Sequence, residues 1–374
     1  MNFKGDIITP IELRHILHQN PELSFHEIET TKLLTEVISK LPGSSILKIH
    51  TPMKTGLLVE YKVNKNNFLL FRADIDALPI IEENQIDFRS QNSNMHACGH
   101  DVHASILFSF LEYVLENNIQ QNILFLFQPA EESGGGAMEF FKSRIFEKFK
   151  ISNAFALHVS DEYSAGVIAS TKGVLFASSL EVDINFNGVS AHVAFPQAGK
   201  NAFNALRLFL DSVDKLPGNI SEPFIFGVGR IESGEIRNII PGNSRMEGTI
   251  RGLSVSQVNL FYKKLVDILE GVCQITGVNY KAVKGASYPE VIIDFNLFEK
   301  IVPAISTEFN FIDCGYKMTG EDFGYISHQY PSFMFWLGTN YGEKFGLHNP
   351  RFLPDDSIIE IGKKAFVSIL KTIM

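Results

Sequence analysis

Short apolar runs and longer segments with helical spacing follow one another along the chain. The runs at residues 68–73 and 123–127 are almost continuously apolar, which is typical of strands buried on both faces of a parallel sheet. Apolar residues within 102–115 recur at helical spacing and predict a helix between these two strands. Further short apolar runs lie at 56–61 and 154–157. Strands that alternate with helices predict an α/β domain with a largely parallel central sheet.

Two helix-start signals precede the first of these strands. Thr9 is followed by a proline at the first helical position and by Glu12, three residues after the cap. Ser24 and Glu27 repeat the capping-box spacing. We therefore expect two N-terminal helices, each started by such a box.

The order of elements changes at about residue 178. It becomes β-α-β-β-α-β, which predicts a ferredoxin-like unit with two helices on one face of a four-stranded sheet and a core of its own. Its predicted strands are residues 180–185, 224–231, 246–251 and 278–283, and its predicted helices are 200–216 and 255–275.

The first pattern returns after about residue 287. A helix at 297–308, a strand at 333–337 and a final amphipathic helix at 357–370 continue the α/β arrangement. One discontinuous domain is therefore interrupted by an inserted one. The predicted bounds are 1–177 and 287–374 for the discontinuous domain and 178–286 for the insert.

The composition narrows the class of protein. Of the 374 residues, 45% are apolar and 20% are charged, as in ordinary soluble globular proteins. A net charge of −9 argues against nucleic-acid binding, which concentrates Lys and Arg. The sequence contains no apolar stretch of about 18 residues, and residues 1–14 lack the pattern of a secretion signal. Three widely spaced cysteines cannot form a disulfide framework, so we expect a cytoplasmic protein with no membrane partner.

Candidate chemistry begins in the loop before the helix at 102–115. Cys98 and His100 have a spacing that lets a thiolate and an imidazole reach one cation, and Gly99 between them allows the backbone to bend. A buried thiol or a structural cap is an equally plain interpretation of this loop taken alone. A structural zinc finger is disfavoured because the sequence has no second cysteine or histidine pair with suitable spacing.

Two adjacent carboxylates, Glu131 and Glu132, follow the strand at 123–127 and precede a glycine run at 134–136. In a turn at a strand end they point in different directions, so one could bind a metal ion while the other reaches a water molecule. The alternative is a solvated acidic turn. The glycine run lacks the Lys-Ser/Thr ending of a P-loop and the spacing of a dinucleotide fingerprint, so it indicates close backbone approach instead.

His158 ends the strand at 154–157, and His348 lies near the C-terminus. Each alone is more often a structural histidine than a ligand. Predicted strand ends and loops of one α/β domain nevertheless hold five candidate ligands, and such folds place their sites there. Their mixed S, N and O donors suit Zn²⁺, Mn²⁺, Co²⁺ or Ni²⁺ better than Ca²⁺ or Mg²⁺, and they suffice for two ions. The five are Cys98, His100, Glu132, His158 and His348.

These residues lie in stretches that resemble the M20 family of dinuclear metallopeptidases and amidohydrolases, which includes aminoacylases and carboxypeptidases. The resemblance is specifically to the amidohydrolase subfamily with a cysteine in the metal site. A later stretch, KMTGEDFGY at 317–325, is similar to the family's deacetylases of lysine and cell-wall precursor synthesis. The other matching stretches are HQNPEL at 18–23, RADIDALP at 72–79, MHACGHD at 95–101, QPAEE at 128–132, ALH at 156–158 and GTIR at 248–251.

The resemblance implies that the five candidate ligands hold two divalent metal ions and that Glu131 is the general base. It implies that Asp74 and Asp101 orient ligands, although Asp101 could equally cap the helix that follows. Glu321 and Asp322 resemble further acids of the cleft, for which a helix cap is the plain alternative. His96 and His103 flank the ligand loop and receive no assignment.

For the inserted domain, the resemblance implies homodimerisation and closure over the cleft. His192 would be offered to the site of the partner subunit, where the plain interpretation is a surface histidine. Asn238 and Arg251 match positions that contact the substrate carboxylate or the reacting carbonyl. Without the resemblance, Arg251 would be interpreted as a charge on an edge strand.

The expected reaction is hydrolysis of an acetamide by metal-activated water, with Glu131 as base and His192 helping to stabilise the oxyanion. The implied substrate is a small N-acetyl amino acid with two carboxylates and one free ammonium. One alternative is an aminoacylase or carboxypeptidase of the same subfamily that accepts larger acyl groups. Another is a non-catalytic two-domain protein that binds a small molecule.

Overall fold

The computed structural model describes residues 7–63, 65–216 and 223–374, which fall into two compact units. Residues 1–6, part of the segment without a secretion-signal pattern, lie outside this description. The second unit contains more than the predicted insert, because a short segment of the returning chain folds with it. No helix among the described residues is long and apolar enough to cross a membrane. The first unit comprises the residues up to Leu175, Ile292–Gly315 and Tyr325–Met374, and the second comprises Phe176–Val291 and Tyr316–Gly324.

The strands are numbered in chain order. In the first part of the chain they are β1 (Leu47–His50), β2 (Leu57–Tyr61), β3 (Phe68–Asp74), β4 (Asn122–Gln128), β5 (Ile151–Ser164), β6 (Ile168–Ser170) and β7 (Gly173–Phe176). They continue with β8 (Ser178–Asn187), β9 (Ala191–His192), β10 (Phe224–Ser233), β11 (Ile239–Ile240), β12 (Asn243–Gly252) and β13 (Asn279–Tyr288). The last three are β14 (Val291–Ile293), β15 (Phe311–Asp313) and β16 (Ser332–Asn340).

The α-helices are α1 (Pro10–Gln19), α2 (Ile28–Ser39), α3 (His100–Glu116), α4 (Gly136–Lys142), α5 (Ala202–Val213), α6 (Val255–Thr276), α7 (Phe295–Ile305), α8 (Gly324–Ser327) and α9 (Ser357–Ile373). Single turns of 3₁₀-helix lie at Ser44–Ile46, Ile145–Lys148 and Pro196–Ala198.

The first unit is built on a mixed sheet with the strand order β1-β2-β4-β3-β5-β16-β6-β15. Its central strands β4, β3, β5 and β16 are parallel, whereas β2 and β6 run antiparallel to their neighbours β4 and β16. Every residue of β3 and β4 is buried, as continuous apolar runs predict. The largely parallel central sheet is therefore confirmed, and the ends of β3 and β4 come together where Asp74 pairs with Gln128.

Helices and aromatic rings fill the core beside this sheet. Helix α3 packs against α9 and α1, and most of its residues are buried. The ring centroid of Phe71 on β3 lies 4.6 Å from that of Phe110 on α3 and 5.2 Å from that of Phe366 on α9. Such close ring pairs contribute beyond the area that they bury, so they fix the helices on the sheet.

The second unit has the predicted β-α-β-β-α-β order in β8, α5, β10, β12, α6 and β13. Its antiparallel sheet has the strand order β10-β12-β8-β13, which confirms the ferredoxin-like arrangement. Residues of β8 alternate between buried and partly exposed, as expected for a sheet covered on one face. The core of this unit joins Phe186 of β8 to Phe209 of α5 and Phe261 of α6. A small ribbon, β9 with β11, is added to the predicted elements.

Only one of the two predicted capping boxes is present. Thr9 and Glu12 form theirs at the start of α1. Helix α2 begins at Ile28, and its N-cap residue is Glu27, which makes no side-chain capping hydrogen bond. The predicted capping box of Ser24 and Glu27 is therefore wrong. Instead, the carboxylate of Glu22 accepts the backbone N–H groups of Glu29 and Thr30. Ser24 and Glu27 are thereby left available for contacts elsewhere in the first unit.

Candidate metal centre

A left-handed glycine sets the directions of Cys98 and His100. Gly99 has a φ of +83° and is the N-terminal cap of α3, so the chain turns sharply between the two side chains. A β-carbon at Gly99 would lie 2.4 Å from the side chain of Val159, which only glycine avoids. Both side chains are buried, with Cys98 just before the Gly99 cap and His100 at the first residue of α3.

His100 and His158 are both buried and present the same ring nitrogen, Nε2, to the centre. The Nδ1 atom of His100 lies 3.0 Å from the carbonyl and 3.1 Å from the carboxylate of Asp76, and Nδ1 of His158 lies 2.8 Å from the carbonyl of Val159. Each Nδ1 therefore donates its proton and leaves Nε2 for a ligand bond. The Nε2 atom of His158 lies 3.4 Å from the Cys98 sulfur. Within the described residues, Nε2 of His100 is buried and has no hydrogen-bond partner.

The turn after β4 is held by two carboxylates. Ala130 has a φ of +56°, unusual for a residue with a side chain, and its N–H donates to the Glu27 carboxylate at 2.8 Å. The N–H of Glu132 donates to the Asp76 carboxylate at 2.9 Å. Gly136 closes the turn, since a β-carbon there would lie 1.7 Å from the Pro129 carbonyl. The expected close backbone approach in the glycine run is therefore present.

The five predicted ligands come together around Cys98. Ligand atoms of Cys98, His100 and His158 lie within 4.8 Å of one another, and the same holds for Cys98, Glu132 and His348. The Nε2 atom of His348 is 3.2 Å from Oε1 of Glu132. That oxygen is buried and has no hydrogen-bond partner among the described residues. Two triads of donors that share a sulfur, with unpaired buried N and O atoms, fit two divalent cations of the borderline-soft class.

Electrostatics at the centre favour added positive charge. Burial, reinforced by the carboxylates of Glu132 and Glu131, raises the pKa of the Cys98 thiol well above its usual value. Burial opposes protonation of His100, but Asp74 and Asp76 outweigh it and raise the pKa of His100 to about 10. Burial lowers the pKa of His158 well below its usual value. A divalent cation would reverse the penalty on the thiolate and replace the proton on His100, so binding is expected to release protons.

Asp74 is fixed from three sides. Its carboxylate accepts a hydrogen bond from Arg72 at 2.7 Å and lies 2.5 Å from Nδ1 of His103. Since Nε2 of His103 accepts the N–H of Val159, the Nδ1 atom of His103 carries the proton. Burial alone would raise the pKa of Asp74, yet the charges of His100 and Arg72 hold it well below its usual value. The Asp74 carboxylate lies 3.7 Å from Nε2 of His100, which is too long for a hydrogen bond but places a negative charge beside that ring.

Asp101 has different partners from those expected for an orienting residue. Its carboxylate lies 2.9 Å from Nδ1 of His18 and 3.3 Å from Nε of Arg14. These contacts tie α1 to α3 behind the ligand loop. Burial opposes protonation of His18, but Asp101 and Glu82 outweigh it and raise the pKa of His18 to about 9.

The predicted substrate residues all belong to the second unit. His192 on β9 and Asn238 beside β11 are exposed, and the N–H of Val193 donates to the Asn238 carbonyl at 3.1 Å. Arg251 lies on β12, an interior strand, so its interpretation as an edge-strand charge is wrong. Its guanidinium donates to the carbonyl of Met318 at 3.0 Å, which fastens the Tyr316–Gly324 segment to the sheet. Burial lowers the pKa of Arg251.

Sequence reasoning missed Asp76, which joins three parts of the centre. Besides His100 and the N–H of Glu132, its carboxylate accepts the hydroxyl of Ser24 at 2.7 Å. The available signal was its position two residues after Asp74, just beyond the end of a buried strand. The spacing of Ser24 and Glu27 indicates a helix cap, but Ser24 contacts Asp76 and Glu27 contacts the N–H of Ala130.

Residues 70–372 match the model of the peptidase family M20/M25/M40, and the chain belongs to this family. It is an enzyme, a metallo-amidohydrolase, and the alternative of a non-catalytic binding protein is set aside.

Particular relatives narrow the comparison. The chain is 36% identical to the N-acetyldiaminopimelate deacetylase of Exiguobacterium sibiricum, over 93% of this chain and 95% of that one. It is 37% identical to the enzyme of the same name from Priestia megaterium, over 94% of each. Among solved structures, the Bacillus subtilis YXEP protein, a dinuclear metal-binding peptidase of the M20 family, superposes with a TM-score of 0.81. It is 26% identical, and the match covers 96% of both chains.

Proposed function

We propose that the chain removes the acetyl group from N-acetyl-LL-diaminopimelate and releases acetate and LL-diaminopimelate for lysine and cell-wall precursor biosynthesis. The observation that carries the proposal is the Cys98-centred pair of ligand triads with Glu131 beside it. The full-length relatives with this activity in their names support the choice of substrate.

Cys98, His100 and His158 would hold one divalent ion, and Cys98, Glu132 and His348 would hold the other. Zn²⁺, Mn²⁺, Co²⁺ and Ni²⁺ all suit this mixture of thiolate, imidazole and carboxylate. When bound, the ions polarise the amide carbonyl and bring the pKa of water towards neutrality. Asp76 keeps the His100 ring in the ligating orientation through its Nδ1 atom, and Asp74 adds a negative charge nearby.

Glu131 is the proposed general base. It is 6% exposed, and its carboxylate lies within 4.8 Å of the ligand atoms of His100 and Glu132. In the forward step it takes one proton from the attacking water while the oxygen adds to the acetyl carbon. In the second step the C–N bond breaks and Glu131 returns that proton to the departing amine, so no net proton is consumed at the base.

Recognition of the amino acid is assigned to the second unit. The substrate has two carboxylates and one free ammonium, so a guanidinium such as Arg251 is a suitable carboxylate partner. His192 is proposed to contact the reacting carbonyl and Asn238 the substrate, with His192 serving the partner subunit of a homodimer formed through this unit. His192 lies on β9 and Asn238 directly precedes β11, and both residues are exposed.

The test is acetate release by enzyme dialysed against chelator and reloaded with Zn²⁺, Mn²⁺, Co²⁺ or Ni²⁺. N-acetyl-LL-diaminopimelate is compared with N-acetylmethionine and hippurate. Metal-dependent release that is selective for the diaminopimelate substrate is expected. Cleavage of the two control substrates alone would retain an amidohydrolase of the same subfamily and overturn the proposed substrate.

A further inference from the structure

His348 is held differently from the other four proposed ligands. Its side chain is 53% exposed, whereas that of Glu132 is 10% exposed and those of the remaining three ligands are buried. It lies in the stretch 341–349, which follows β16 and contains neither helix nor strand. Packing therefore contributes little to its placement, and a few specific contacts must fix it.

The buried carboxylate of Asp161 fixes one end of this stretch. One of its oxygens accepts the N–H of Phe345 at 2.6 Å and the N–H of Gly346 at 2.8 Å. Asp161 is 6% exposed and lies on β5, three residues after His158. Two successive backbone N–H groups that converge on an anion form a strong, directional contact.

The second attachment lies at the ligand itself. The N–H of His348 donates to the carbonyl of Ala97 at 2.9 Å, directly before Cys98. Between the two attachments, Gly346 and His348 have φ angles of +84° and +63°. A left-handed histidine is uncommon, and surrounding contacts must hold it in that conformation. The Asp161 carboxylate holds the N–H of Gly346, two residues before His348, and so restrains the backbone that leads into this conformation.

We propose that Asp161 is a positioning residue that determines whether the second metal ion binds. By holding Phe345 and Gly346, it keeps His348 against Glu132 and Cys98. It is not a member of either ligand triad. Its loss should therefore empty the triad of Cys98, Glu132 and His348 and leave that of Cys98, His100 and His158 filled. The inference rests on the proposed two-ion centre.

Trp336 provides a separate readout for the first ion. It is the chain's single tryptophan, it pairs with His158 in the sheet, and the two ring centroids are 5.0 Å apart. Open-shell ions such as Co²⁺ quench indole emission at short range. Quenching of Trp336 fluorescence therefore reports Co²⁺ at the centre, most strongly the ion at His158, independently of turnover.

The experiment titrates Co²⁺ into the metal-free full chain and follows calorimetric stoichiometry, Trp336 emission and acetate release. D161A and D161N are compared with D355N, which alters a carboxylate that accepts the N–H of Ser357 at the start of α9. We expect two ions in the wild type and in D355N. In D161A we expect unchanged quenching, a second ion bound at least tenfold more weakly, and kcat restored by excess Co²⁺. D161N, whose amide oxygen still accepts hydrogen bonds, should be intermediate.

The outcomes separate the inference from the proposed function. Two ions bound by D161A with wild-type affinity would overturn the role of Asp161 and leave the centre intact. Loss of quenching in a D161A protein with a native circular-dichroism spectrum would also overturn it, because the His158 triad should not depend on Asp161. A wild type that binds no Co²⁺ would refute the proposed centre itself. If D161A fails to fold, the second affinity of D161N decides by the same criteria.

Discussion

The two parts of the candidate centre are held in place by different means. Cys98, His100 and His158, here called the buried half, come from the start of α3 and from the middle of β5, where packing excludes water. Glu132 and His348, here called the loop half, come from a turn and from an irregular stretch. In the buried half, hydrogen bonding at Nδ1 of each histidine ring leaves Nε2 as the ligating nitrogen, and the packed backbone fixes the position of the side chain.

The loop half relies on carboxylates that bind backbone N–H groups. Asp76 holds the N–H of Glu132, Glu27 holds that of Ala130, and Asp161 holds those that precede His348. Each of these contacts crosses a large sequence separation and replaces packing that the loops lack. Hydrophobic burial therefore preorganises the ligands of the buried half, and charge-assisted hydrogen bonds preorganise those of the loop half.

The largest effect is expected from Cys98→Ala, because Cys98 belongs to both proposed ligand triads. Since loss of an outer hydrogen-bond partner typically costs 10–100-fold in metal affinity, loss of a shared ligand should weaken both ions by more than about 100-fold. Calorimetric titration with Zn²⁺ measures this, and acetate release should fall with occupancy. Cys273→Ala is the control, since that partly buried thiol lies on α6 of the second unit. Unchanged metal content in Cys98→Ala would remove its ligand role.

Glu131→Gln should leave both halves filled and stop the reaction. Proton transfer by a positioned base contributes typically 10²–10⁴-fold, so kcat should fall by about 10³-fold with two ions still bound. Measured metal content together with kcat separates this variant from a ligand variant. Retained turnover would eliminate Glu131 as the base, and lost metal would reassign it as a ligand.

His158→Ala and His348→Ala should divide the two halves. His348→Ala is expected to keep the Co²⁺ quenching of Trp336 and to lose about tenfold or more in affinity for the other ion. His158→Ala should lose most of the quenching, because the indole neighbours the ring that it removes. Emission at rising Co²⁺ concentration measures both. Equal quenching in the two variants would mean that the halves do not bind separate ions.

The buried half was largely predictable from sequence, for a physical reason. The apolar run at 154–157 identifies the part of β5 that precedes His158, and the helical spacing of apolar residues within 102–115 identifies α3, at whose start Cys98 and His100 lie. Cys98 and His100 are also close in sequence, so their common direction depends only on the local turn at Gly99. Short strands such as β6 and β15 have three residues each and give no comparable pattern.

The supports of the loop half could not be predicted in the same way. Ser24 and Glu27 have the spacing of a capping box, yet their partners Asp76 and Ala130 lie 52 and 103 residues away. Asp161 and Phe345 are separated by 184 residues. A local sequence pattern indicates which hydrogen bonds a side chain can make, but which of them form depends on the tertiary fold.

The smallest effect, and the one specific to the loop half, concerns the pH dependence of stability at Glu27. Burial, together with the charge of Asp76, raises the pKa of Glu27 from its ordinary 4.5 to about 7. The folded state therefore holds a proton that the unfolded state releases between pH 4.5 and 7. The free energy of unfolding should fall as pH rises through that window and level off above it, a loss of up to about 3 kcal/mol.

Glu27→Gln has no such proton to lose, so its stability should match that of the wild type near pH 4.5 and exceed it at pH 8. Urea unfolding of the metal-free protein at several pH values measures the difference. Glu112 on α3 is the control, because burial and the charge of Glu116 raise its pKa to about 7 as well. Glu112→Gln should remove the pH dependence of stability in the same window without changing Co²⁺ affinity.

Glu27→Gln should also weaken binding of the ion at Glu132, since a neutral amide holds the Ala130 N–H less firmly than an ionised carboxylate does above pH 7. Parallel pH curves for wild type and Glu27→Gln would show that this carboxyl titrates normally and would refute the raised pKa.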